Sequence, residues 1–127
     1  MLNGNITCYK VHGQTAQQKL LIYAYLQGAV YCWCKNHPNQ WFGTRDLVGG
    51  DNFYWQGTPA YPVYEYYASF GFGNYYAITE AGKAIGRLLK RVIIEDKRTF
   101  ETRSGYRTRQ YLWTGAENDS YHPLWLT

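Results

Sequence analysis

Nine basic residues fall within positions 83–109: Lys83, Arg87, Lys90, Arg91, Lys97, Arg98, Arg103, Arg107 and Arg109. Glu95, Asp96 and Glu101 are the acidic residues that oppose them, while the rest of the 127-residue chain is close to neutral. Cations clustered in this way suit one chemistry above others, the displacement of counterions from phosphate groups. Lys83, Arg87, Lys90 and Arg91 are spaced to share one side of a helix. Arg103, Arg107 and Arg109 flank a Ser104-Gly105 turn signal between β-branched and aromatic residues. The overall charge of +4 decides little; its distribution points to a polyanion.

Other chemistries find weaker carriers. Cys8 and His12 are four apart, and Cys32, Cys34 and His37 lie close together, so four of these could in principle hold zinc. The paired CxxC spacing is absent, and two residues that are two apart on a helix do not share a face. Three cysteines give no disulfide framework, and buried thiols acting as small apolar groups fit better. His12, His37 and His122 accompany no nucleophile motif. Gly71-Phe72-Gly73 lacks the remaining glycine of a dinucleotide fingerprint. Asp46, Asp51 and Glu65 could meet in space, but no spacing marks them as a catalytic set. The chain is read as a non-enzyme without cofactor or metal.

The elements that must position the basic residues are legible in outline. Residues 15–35 predict a helix with Thr15 as N-cap, halted before Pro38. Over its second half it is apolar on most of its circumference, so it is either central to the fold or buried in a dimer. Trp41 and Phe42 predict a short strand, and Thr44 caps a one- or two-turn helix closed by Gly49 and Gly50. Pro62 opens a short helix through Phe70. A longer helix is expected over residues 79–95, with Thr79 as N-cap and Ile78, Ala81, Ile85, Leu88, Leu89 and Val92 as its buried stripe. Gly82 and Gly86 within it would allow close approach of another backbone. Residues 98–113 predict a hairpin in which Arg103 faces Tyr106, Thr102 faces Arg107 and Phe100 faces Arg109. Residues 1–13 read as a strand or arm, and Leu124, Trp125 and Leu126 are expected to dock on the body.

This order resembles the winged helix-turn-helix family of DNA-binding domains. Trp41-Phe42-Gly43-Thr44-Arg45-Asp46-Leu47-Val48-Gly49 is similar to its short strand and second helix, and Gly82-Lys83-Ala84-Ile85-Gly86-Arg87-Leu88-Leu89-Lys90-Arg91 to its recognition helix. Tyr106-Arg107-Thr108-Arg109-Gln110-Tyr111 would be the return strand of the wing. The resemblance implies an α+β fold, with helices packed on a small antiparallel hairpin. It would be one domain with a core of about 15–113, an insertion of about 49–78 and a tail of 114–127. Alternatively, the helix at 62–70 takes the second-helix role. It also implies double-stranded DNA as the partner, read in the major groove by Lys83, Arg87, Lys90 and Arg91 and held at the backbone by Arg103, Arg107 and Arg109. Transcriptional regulation would be the setting.

A second reading starts from the aromatics. Tyr, Trp and Phe form 19% of the chain, and residues 53–76 are dense in them. Tyr54, Trp55, Tyr64 and Tyr67 are the candidates for an interface, either of a homodimer, of a protein-interaction module, or around a small ligand. The apolar run at 20–34 spans 15 residues and includes Gln27, short of the ~20 residues a membrane span needs. The opening MLNGNITCYKVHGQ lacks a basic stretch followed by an apolar run, so no cleavable leader is expected. A cytoplasmic location is the expectation.

Overall fold

The computed structural model describes residues 1–2, 7–49, 55–105 and 108–117. Among these residues the architecture is α+β, with four helices and a two-stranded antiparallel hairpin.

Helix α1 (Ala16–Asn36) begins at a capping box. The Thr15 hydroxyl accepts from the Gln18 N–H at 3.0 Å, and the Gln18 side chain accepts from the Thr15 N–H at 2.9 Å, so two otherwise unpaired donors are satisfied reciprocally. Ile22, Leu26, Val30 and Cys34, spaced by four, turn inward. In the second half of the helix Tyr31 and Cys32 remain exposed, so the helix is buried along one stripe rather than on most of its surface.

Phe42 then makes an antiparallel bridge, its N–H bonding the Tyr111 carbonyl at 2.9 Å and its carbonyl the Tyr111 N–H at 2.7 Å. Helix α2 (Thr44–Val48) follows at once. Its N-cap is Gly43 rather than Thr44, and the Asp46 carboxylate accepts from the Gly43 N–H at 2.8 Å. A Cβ on residue 43 would lie 3.0 Å from Thr108 Cγ2 and 3.1 Å from the Arg109 carbonyl oxygen. Glycine is used here because the hairpin presses against the start of α2. Gly49, at φ 107°, ends the helix.

Helix α3 (Tyr61–Ala68), with Pro62 in its first turn, packs on α4 (Asn74–Glu95). Helix α4 begins five residues before the predicted start, and Thr79 lies inside it rather than at its cap. Gly73 at φ 97° is the true breaker, nothing after it interrupts a helix, and Ala77 extends the buried stripe of Ala81, Ala84, Ile85, Leu88, Leu89, Val92 and Ile93 by one turn. The Tyr64 hydroxyl bonds Asn74 Oδ1 across the α3–α4 turn.

Strands β1 (Arg98–Ser104) and β2 (Arg109–Glu117) pair with Ser104 opposite Arg109, Arg103 opposite Gln110, Thr102 opposite Tyr111 and Phe100 opposite Trp113. The predicted register, built on a two-residue turn, is therefore displaced by four on the return strand. Between the two strands the Gly105 N–H bonds the Thr108 carbonyl at 2.8 Å. The displacement is even, so each residue keeps its face. It also places Phe100 beside Trp113, leaving Tyr111 for Phe42.

Leu2 bridges Phe100 on the far side of β1, and the Met1 amino group donates to the carbonyls of Ile93, Asp96 and Arg98. The Phe42 ring meets Phe100 edge to face and Tyr111 at a tilt, with centroids about 6 Å apart in both pairs. It joins the hairpin to the aliphatic residues of α1 and α4 in one contiguous core. No helix among the described residues is long and apolar enough to cross a membrane.

Candidate functional site

The amphipathic α4 holds Lys83, Arg87 and Arg91 on its exposed side, with Lys90 half-buried beside them. Each meets a different neighbour. Lys83 reaches Glu80 at 3.4 Å, one turn back. The Arg87 guanidinium lies over the Tyr9 ring, 5.7 Å from its centroid. The Lys90 ammonium bonds the Thr7 carbonyl. Arg91 approaches Glu95 at 4.0 Å, a spacing that adds little stability at the surface. Residues 7–9 thus lie on the basic side of α4 from Arg87 onward, a relation that no periodicity in the chain announces.

On the hairpin, Arg103 stacks on Trp41 at 4.1 Å and donates to Gln110 Oε1 at 2.8 Å. Arg109 donates to the Thr102 hydroxyl at 3.1 Å. Both side chains are exposed. Stacking on the indole keeps the planar guanidinium of Arg103 in place while its remaining donors stay available. The two cation groups are linked through α2. Its Thr44 Oγ1 would lie 3.5 Å from a Cβ on Gly86, and its capping Gly43 abuts Thr108 and Arg109. The backbone neighbour anticipated at Gly86 is not found there: what meets it is a side-chain hydroxyl in ordinary van der Waals contact. Arg107, Tyr54, Gly50, Asp51, His122, Leu124, Trp125 and Leu126 lie outside the described residues.

The aromatic candidates are placed differently from the expectation. Trp55 is 3% exposed and belongs to the core. Tyr64 stacks on Tyr61, with centroids 5.8 Å apart, and Tyr67 packs among Tyr66, Phe70 and Tyr76. Within residues 55–76 the outward aromatics are Phe70, Phe72 and Tyr75, the last two 71% and 85% exposed. They sit around the Gly71 and Gly73 turn, where glycines at φ 75° and 97° swing the chain outward.

The strongest polar constellation joins residues far apart in sequence. The buried Asp96 carboxylate accepts from Arg98 Nη2 at 2.8 Å, Arg98 Nε at 3.1 Å, the Arg98 backbone N–H at 2.8 Å and Gln27 Nε2 at 2.8 Å. The Arg98 guanidinium also faces the Tyr31 ring at 4.4 Å. Burial pushes the Asp96 carboxyl up, but the hydrogen bonds from Arg98 and Gln27 and the attraction of the guanidinium outweigh it and hold the group below its ordinary value. Every acceptor position faces a donor, and Arg98 is therefore a structural cation, withdrawn from any partner. The one sequence signal was Asp96 two residues before Arg98, the spacing of a carboxylate folding back on its own chain; nothing pointed to Gln27.

Among the described residues no group of three or more His, Cys, Asp or Glu side chains is placed to hold a metal ion. Cys32 is exposed and Cys34 buried on the two sides of α1. Burial pushes the Cys34 thiol up, which keeps it protonated and unreactive near neutral pH. Comparison with family models, with curated proteins and with solved structures finds no match to this chain.

Proposed function

We propose that this chain binds double-stranded DNA as a winged-helix-like domain, with α4 toward the major groove and the β1–β2 hairpin beside it on the phosphate backbone. The observation that carries the reading is the two-way backbone pairing of Phe42 with Tyr111. It ties the segment entering α2 to the return strand of the hairpin. A helix, a strand-like segment, a short helix, a long basic helix and a hairpin are thereby joined in the connectivity such a domain requires. On this reading α3 and the turns around it are an insertion between the second helix and the reading helix. Lys83, Arg87 and Arg91, all exposed, supply the helix contact, while Lys90 is half-buried and engaged by Thr7. Arg103 and Arg109 supply the hairpin contact.

Fluorescence anisotropy with a labelled duplex, titrated at several salt concentrations, tests this. Affinity falls as salt rises, and each phosphate contact removed by Lys83→Ala, Arg87→Ala or Arg103→Ala lowers the slope of log K against log salt by ~0.9. Binding to no duplex, or binding unaltered in all three variants, defeats the reading.

The exposure of Phe72 and Tyr75 favours a second role, self-association through the α3–α4 turn. Sedimentation of the wild type against Phe72→Ser/Tyr75→Ser checks it; a monomer at all micromolar concentrations removes it.

A further inference from the structure

Where residues 7–11, α1 and α4 meet, the surface opens into a groove of about 270 Å³. Lys10, Lys19, Arg87 and Arg91 all line it, and no carboxylate does. Its apolar lining comes from Val11 and Leu88, both buried, and from the ring of the half-buried Tyr23.

These four cations come from three separate parts of the chain, so the solvated face of one helix does not account for them. Folding brings them together against their mutual repulsion, which an anion would relieve. Among the described residues Lys10, Lys19 and Arg87 meet no carboxylate, and Arg91 has Glu95 alone at 4.0 Å. The arm is fixed over α4 by the Lys90–Thr7 bond and by Tyr9 against Arg87, so the cations are held around a formed space.

We propose that this groove binds a small phosphate monoester with an apolar or aromatic body, as a site distinct from the hairpin cations and Lys83. The phosphate takes charge-assisted hydrogen bonds from Arg87, Arg91, Lys10 and Lys19. The ring lies against Tyr23, Val11 and Leu88. A groove of this size, at the lower limit of ~300 Å³ for ligand pockets, admits about one ring with its phosphate. Arg87 and Arg91 are shared with the basic side of α4, whereas Lys10 and Lys19 belong to this site alone, which keeps the proposal separable from the nucleic-acid reading.

Isothermal titration calorimetry of the full chain with phenyl phosphate, inorganic phosphate and phenol is the test, with backbone amide NMR to locate binding. Phenyl phosphate saturates the site more tightly than either half, and amide shifts gather at residues 7–11, 19–23 and 87–91. Lys10→Gln/Lys19→Gln weakens binding by ~10-fold or more, the loss expected from one or two charge-assisted bonds. Lys83→Ala leaves it unchanged. No saturation by ~10 mM phenyl phosphate, equal affinity for inorganic and phenyl phosphate, or full affinity in the double variant overturns the site. Phenyl phosphate binding without duplex binding upholds this site and removes the DNA reading; duplex binding without phenyl phosphate binding does the reverse.

Discussion

Replacing Asp96 with alanine leaves three groups that the carboxylate had satisfied: a guanidinium 6% exposed, the Arg98 backbone N–H and the Gln27 amide. Stranding a buried charge by removing its partner costs ~3–5 kcal/mol, which is a large part of the 5–15 kcal/mol typical of a domain. Urea unfolding at neutral pH should therefore show Asp96→Ala with a much lower midpoint and an unaltered slope. Arg98→Met keeps an unbranched side chain among Tyr31, Phe100 and Trp113, and the Asp96→Ala/Arg98→Met double variant loses less than the sum of the single losses by roughly 2 kcal/mol or more. The Asp96 carboxyl titrates below its unfolded value of 3.8. Its contribution is thus complete above that pH and is lost as pH falls below it, and the gap between wild type and Asp96→Ala narrows in acid. A loss under ~1 kcal/mol for Asp96→Ala, the range of a solvent-exposed pair, or strict additivity in the double variant, refutes the reasoning.

Three further outcomes follow from particular residues. Gly28 is exposed within α1 with nothing within 4 Å of a Cβ, so Gly28→Ala stabilises the protein by up to ~1 kcal/mol, read as a rise in thermal midpoint; a fall contradicts it. Gly43→Ala forces Thr108 and the Arg109 carbonyl away and costs ~1–3 kcal/mol, with amide shifts in both α2 and the hairpin; a silent substitution shows that the contact is not tight. Burial pushes the Tyr111 phenol from 10.0 to about 12, so the folded state holds this proton more firmly than the unfolded one. Roughly 3 kcal/mol is lost as pH rises from 10.0 to about 12, and Tyr111→Phe flattens that part of the alkaline unfolding curve; an unchanged curve argues against it.

The elements with local signals were readable in the chain. Thr15, Pro62 and the glycine closing α2 each act through their immediate neighbours, so the helix ends they set fell within about a residue of the expectation. The α4 start did not, because Thr79 is a good cap residue set inside a sequence that had no reason to stop before Gly73. The hairpin faces were legible from alternation, while the register depended on the pairing of Phe100 with Trp113 and of Phe42 with Tyr111, both tertiary facts. For the site, the exposed Lys83, Arg87, Arg91, Arg103 and Arg109 followed from charge and period. The withdrawal of Arg98 by Asp96 and Gln27, the burial of Trp55 and the meeting of Lys10 and Lys19 with Arg87 all join distant positions and leave no periodic trace.

The bond from Lys90 to Thr7 and the ring of Tyr9 over Arg87 set how deeply anything can seat on α4. A rod-shaped partner laid along the helix axis would collide with the strap formed by residues 7–9. The stretch ahead of that obstruction, from Asn74 to Arg87, is roughly 20 Å long at the α-helical rise. On the duplex reading the leading turns, bearing Tyr75, Thr79, Glu80 and Lys83, would make the first contact, and Arg87, beside the Tyr9 ring, the last one ahead of the strap.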